Sequence, residues 1–161
     1  MKIALLSDSH GNLAALQAVL AEVDRQGVDQ ILSVRAATPA EVLERLGTGP
    51  HTAASLIICG HTLVPRVVSV PSPTGGHLIT IVNPGSVGLP AYDDAHPFKH
   101  HIETGSPHAR YAVAEQIAAG WRIDLRCVMY DFKSMAQLAE SRQRPDWAVA
   151  LRTGRVGLMT E

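Results

Sequence analysis

Met1-Lys2-Ile3-Ala4-Leu5-Leu6-Ser7-Asp8-Ser9-His10-Gly11-Asn12-Leu13-Ala14-Ala15-Leu16 opens the chain, and its reading decides the fold. Ile3 to Leu6 is an unbroken apolar run of the kind found in parallel strands. Leu13, Leu16, Val19, Leu20 and Val23 then recur at helical spacing until Gly27 stops the helix. Asp8 and His10 therefore fall at the carboxyl end of a strand, where open α/β sheets hold their chemistry.

Working outward, Val28 to Val34 reads as a second strand. Thr38-Pro39-Ala40-Glu41 is a capping box with proline at the first helical position, and predicts a short helix through Leu46 that stops at Gly47. Ser55 to Cys59 reads as a third strand. The order β-α-β-α-β argues a parallel sheet. Beyond it, Arg66 to Val70 and His77 to Val82 are strand runs joined by Pro71-Ser72-Pro73-Thr74-Gly75-Gly76, a hairpin connection. Leu89 to His108 shows no periodicity and reads as a long loop. Arg110 to Glu115 and Trp121 to Met129 predict an antiparallel pair turned at Gly120. Asp131 caps a helix through about Arg142, and Asp146 to Arg152 predicts one more, closed by Gly154. The expectation is an α/β domain with one mixed sheet, parallel in its N-terminal half and antiparallel in its C-terminal half.

The chain has 161 residues, 46% of them hydrophobic and 18% charged, which suits one globular domain spanning 1–161. No apolar run approaches the roughly 20 residues that a bilayer span needs. A net charge of -1 gives no electrostatic reason to bind nucleic acid or a membrane surface. The start of the chain lacks the apolar length of a signal peptide, so the expected location is cytoplasmic. Cys59 and Cys127 sit in separate strand-like runs and read as buried free thiols.

Three strand ends carry polar loops with ligand-type residues: Asp8-Ser9-His10-Gly11-Asn12, Gly60-His61-Thr62 and Asn83-Pro84-Gly85-Ser86-Val87-Gly88. A carboxylate and an imidazole two residues apart suit zinc, manganese or iron. Gly11 and Asn12 lead into a helix N-terminus, whose N–H groups suit phosphate. Each element also has a structural explanation: Asp8 as a helix cap, His61 as a loop histidine, and Asn83 to Ser86 as a tight turn.

Taken together, these segments resemble the calcineurin-like metallophosphoesterases, in their small bacterial phosphodiesterase branch. The opening stretch carries the likeness, with Cys59-Gly60-His61-Thr62, Val64-Pro65, and Asn83-Pro84-Gly85-Ser86-Val87-Gly88-Leu89-Pro90. Glu103-Thr104-Gly105-Ser106-Pro107-His108-Ala109-Arg110-Tyr111 resembles the same branch. The resemblance implies a two-metal hydrolase on an α/β/β/α sandwich. Its two cations, about 4 Å apart, activate water and neutralise charge on phosphate oxygens. Asp8 and His10 match ligands of the first metal, and His61 matches a ligand of the second.

The remaining family positions do not carry over. Ser33-Val34-Arg35 stands where the family has Gly-Asp, and the chain contains neither Gly-Asp nor Gly-Asn-His. Leu63 replaces the last histidine of Gly-His-x-His. One internal deletion after about residue 34 accounts for most of these losses, leaving a truncated sandwich without its bridging aspartate or catalytic histidine. Asp93, Asp94, His96, His100, His101 and His108 are the nearest conceivable substitutes, although they read first as a solvated surface tract.

Four expectations follow. Any divalent metal binds weakly or at a single site, through Asp8, His10 and His61. A phosphate ligand meets Gly11 and Asn12. Hydrolysis of a phosphoester is impaired or absent, with no catalytic residue retained; the alternative is a non-catalytic remnant that binds a phosphate ligand or self-associates. Loss of the middle of the sheet exposes apolar strand surface, which favours a homo-oligomer.

Overall fold

The computed structural model describes residues 1–34, 54–71, 76–95 and 99–157. The helix predicted from Thr38 to Leu46, and His96, lie outside these residues. In chain order the elements are β1 (Lys2–Ser7), α1 (Leu13–Gln26), β2 (Gln30–Val34), β3 (Leu56–Ile58), β4 (Arg66–Pro71), β5 (Leu78–Asn83), β6 (Ala91–Asp94), β7 (His100–Glu103), β8 (Ala109–Ile117), β9 (Gly120–Val128), α2 (Phe132–Ser141) and α3 (Pro145–Thr153).

β1 lies in the interior, and its unbroken apolar run is explained by burial on both faces. Ala4 and Leu6 pack against Ala15, Val19 and Val23 of α1. Ile3 and Leu5, alternating to the opposite side, pack with Val82 of β5 and with Ala112 and Ala114 of β8. Each fully buried Leu or Val here contributes roughly 1.5–3 kcal/mol by leaving water. These contacts stack α1, a four-stranded sheet ordered β2-β1-β8-β9, and a three-stranded sheet ordered β3-β5-β4.

The fold is α/β with mixed sheets, consistent with a truncated sandwich. The strand directions are distributed differently from the sequence expectation. β1 pairs parallel with β2 and antiparallel with β8, so both its edges are occupied and β3 cannot join it. β3 instead pairs parallel with β5, which pairs antiparallel with β4 as the predicted hairpin. These two sheets thus each mix both directions. The supposed loop from Leu89 to His108 contains the antiparallel ribbon β6–β7, which pairs Tyr92 with Ile102 and Asp93 with His101.

α2 and α3 form a hairpin packed on that ribbon through Leu89, Ala91, Ala136, Ala139, Ala148 and Leu151. Asp131 caps α2 by accepting a 3.1 Å bond from Ser134 N–H. α3 closes at Gly154, in the left-handed conformation, and a side chain at that position would run into the backbone of Ser106. The Gly105 N–H donates to Gly154 O at 2.9 Å, and Glu103 accepts from Val156 N–H at 2.9 Å. The Glu103-to-Ser106 stretch therefore anchors the end of α3.

Cys59 and Cys127 are free thiols as expected, but both are exposed rather than buried. Cys59 follows β3 on the side of the partly exposed Ile57. On β9, Trp121 and Ile123 are covered by the second sheet, while Leu125 and Cys127 on the same face extend past it. Among the described residues, no helix is long and apolar enough to cross a membrane.

Candidate functional site

The three strand-end loops meet at the carboxyl end of β1. Val87 N–H donates to Ser7 O at 2.9 Å, while Gly88 N–H and Ser86 Oγ each donate to Asp8 O at 3.0 Å. Gly88 passes so close to Ser9 that a Cβ there would overlap the Ser9 carbonyl. At Gly60 a Cβ would instead overlap the Ser7 hydroxyl and crowd the Asp8 carboxylate. Glycine at these two positions is a matter of space: the Ser9 backbone at Gly88 and the Ser7 side chain at Gly60 lie within the reach of a methyl group.

Asp8, His10, His61 and Leu63 all adopt positive φ, at 53°, 47°, 72° and 54°. A non-glycine residue costs roughly 1–2 kcal/mol in this region. The surrounding hydrogen bonds hold the conformation against that cost, an arrangement that concentrates at ligand sites.

The Asp8 carboxylate is engaged by its own surroundings. Its Oδ2 accepts from Ser7 Oγ and, at 2.9 Å, from the backbone N–H of His61. Asp8 and His61, matched by sequence to two different metals, are thus joined by a direct hydrogen bond. Partial burial lowers the His10 imidazole below its ordinary value; the Asp8 carboxylate opposes that shift and His61 adds to it. The His10 ring meets Trp147 of α3 edge-on at 6.0 Å, and His61 sits 6.1 Å from the ring of Tyr92. Burial, with Asp94 and Asp8 nearby, raises the Tyr92 phenol.

Leu63 is 1% exposed, so the position expected to offer a histidine contributes an apolar wall. Among the described residues, no three His, Cys, Asp or Glu side chains come together as a set able to hold a metal ion. Asp93 and Asp94 stand opposite His101 and His100 in the register of the β6–β7 ribbon. His108 packs edge-on against Phe132 at 6.5 Å. A catalytic zinc site ordinarily has three protein ligands and a two-metal site needs a shared one. The described donors do not fit such a centre.

Asn12 is committed to the fold. Its Oδ1 caps α1 by accepting from Ala15 N–H at 3.1 Å, and its Nδ2 donates to Gly88 O at 2.9 Å and to Tyr130 Oη at 3.0 Å. This uses the amide oxygen and both amide hydrogens and leaves the buried side chain nothing for a phosphate, in contrast to the sequence expectation. Gly11, at φ 68° with open space around its Cβ position, leaves the backbone at the α1 N-terminus approachable.

Sequence reasoning missed Tyr92, Arg142, Arg144 and Trp147. All four reach the region from the C-terminal half. The signal open to sequence was the Arg142-Gln143-Arg144-Pro145-Asp146-Trp147 junction, where a cationic pair and an aromatic flank a helix start.

No protein-family model and no curated protein matches the sequence. Among solved structures, the fold is similar to that of a metallophosphoesterase from Sphaerobacter thermophilus, with a TM-score of 0.58 at 19% identity. The superposition covers 94% of this chain and 97% of that one.

Proposed function

We propose that this chain is a calcineurin-like metallophosphoesterase relative that has lost the middle of its catalytic site, after about residue 34, and retains the strand-end pocket as a phosphate-ligand site with impaired or absent hydrolysis. The observation that carries the reading is the Asp8 carboxylate bonded to Ser7 Oγ and His61 N–H. A carboxylate serving as a clamp between two loops holds the site's shape without an ion. The divalent metal use implied by the family resemblance is accordingly reduced here to weak binding, since Asp8, His10 and His61 do not come together as a ligand set among the described residues. The ligand is a small phosphoester, because the chain's charge of -1 offers no attraction for a polyanion.

Incubation with manganese and an aryl phosphodiester tests this reading. The expected result is no turnover above the metal-only blank. Manganese-dependent turnover that disappears in Asp8→Ala and His10→Ala would overturn it.

A second reading, self-association, is favoured by the outer side of the β3-β5-β4 sheet. Ile57 is 40% and Val64 44% exposed there, beside a groove lined by Cys59, Val68 and Ile81. Pairing with a second copy would cover this apolar face. Light scattering would report a dimer; a monomer at high concentration would contradict it.

A further inference from the structure

Beside the clamped carboxylate, a pocket of about 130 Å³ opens between the N-terminus of α1 and the α2–α3 hairpin. Its walls combine two chemistries. Met135, Leu138 and Trp147 supply an apolar surface, while Arg142, Arg144 and His10 stand around it.

The turn joining α2 and α3 aims both arginines at this space. Gln143 N–H donates to Glu140 O and Arg144 N–H to Ala139 O, each at 2.9 Å, with Gln143 at φ 59°. This bond pattern ends a helix in a left-handed residue, here without the usual glycine. The two guanidinium groups differ in what they have left to give. Arg144 is held by Asp146 at 2.6 Å and lies 4.4 Å over the Trp147 ring, so its charge is already partly matched. Arg142 forms no ion pair among the described residues. A flat side chain, an aliphatic wall and one unmatched guanidinium suit a ligand that is apolar at one end and anionic at the other.

We propose that this pocket binds a small aryl-phosphate-like anion, with its oxygens on Arg142 and its flat apolar body along Trp147, Met135 and Leu138. The inference deepens, and rests on, the reading of the strand-end site as a phosphate-ligand site. It adds an apolar requirement and assigns the anion chiefly to Arg142. Arg144 has a positioning role, stacking on Trp147 and fixing that ring's place.

Phenylphosphonate tests the pocket, because its carbon–phosphorus bond resists hydrolysis and binding is read separately from turnover. Titration calorimetry without added metal should show phenylphosphonate binding about 10-fold more tightly than inorganic phosphate, from the apolar contact. Arg142→Ala should weaken phenylphosphonate by about 10-fold or more, Arg142→Lys by less, and Arg144→Ala by less than Arg142→Ala. Circular dichroism establishes that each variant is folded, and Arg142 is exposed enough for all its variants to fold. Equal affinity for the two probes, no binding of phenylphosphonate, or an unchanged affinity in Arg142→Ala would each overturn the proposal. Failure of the underlying reading is distinguishable, because it shows as manganese-dependent phosphodiester turnover, a different assay from metal-free binding.

Discussion

The end of β1 and the α2–α3 turn hold their non-glycine left-handed residues in opposite ways. At the β1 end, Asp8, His10, His61 and Leu63 are strained inside a web of backbone bonds, which engages one Asp8 carboxylate oxygen, Oδ2, and the whole Asn12 amide. At the turn, Gln143 alone is strained, on the surface, and the result is an arginine with no ion-pair partner among the described residues. The lesson is that a ligand-type residue is informative only with its existing partners counted. Asp8 looks more like a ligand in sequence than Arg142 does, yet one of its oxygens is already engaged, while Arg142 forms no ion pair among the described residues.

The largest expected effect breaks the first region. Gly88→Ala should cost about 3 kcal/mol in urea unfolding, because the added methyl overlaps the Ser9 carbonyl and must separate two bonded loops. A change below about 0.5 kcal/mol would mean the loops are not packed as described.

Asp8→Ala should come next, at about 1 kcal/mol, since it leaves Ser7 Oγ and the His61 N–H without their acceptor. Asp8→Asn keeps an acceptor oxygen and should lose less. Equal losses in the two variants would argue that the charge, rather than the clamp, matters at this position.

Gln143→Gly sharpens the comparison from the other side, because it should stabilise the chain. Relief of the left-handed penalty is worth up to about 1 kcal/mol, offset in part by the entropy that glycine adds to the unfolded chain. Thermal unfolding reads the change, and a destabilised Gln143→Gly would contradict the turn geometry.

Much of the fold is legible in the sequence because its determinants are local. The apolar run Ile3–Leu6, the helical spacing of Leu13 to Val23, the Gly120 hairpin and the caps at Asp131 and Gly154 all encode elements that form as read. Sheet partnership is not local. Whether β3 joins β1 depends on β8 occupying the free edge of β1, and β8 lies about a hundred residues away along the chain. The ribbon β6–β7 escaped notice for a related reason: its Asp-Asp run carries little strand propensity, and cross-strand pairing supports it.

The candidate site divides along the same line. The convergence of Asp8, His10, Gly60 and Gly88 follows from three strand ends whose motifs are contiguous in sequence. What Asp8 and Asn12 do there does not follow, because their partners lie elsewhere: His61 for Asp8, Gly88 and Tyr130 for Asn12. The arginine pocket is assembled from segments far apart in the chain, and the Arg142-to-Trp147 junction by itself does not say that it faces the N-terminus of α1.

In the proposed reading the strand-end site is a hydrogen-bonded ligand pocket and not a two-metal centre. Metal content after saturation with manganese and desalting tests it most directly. Fewer than one retained ion per chain is expected; two tightly held ions per chain would contradict a hydrogen-bonded pocket.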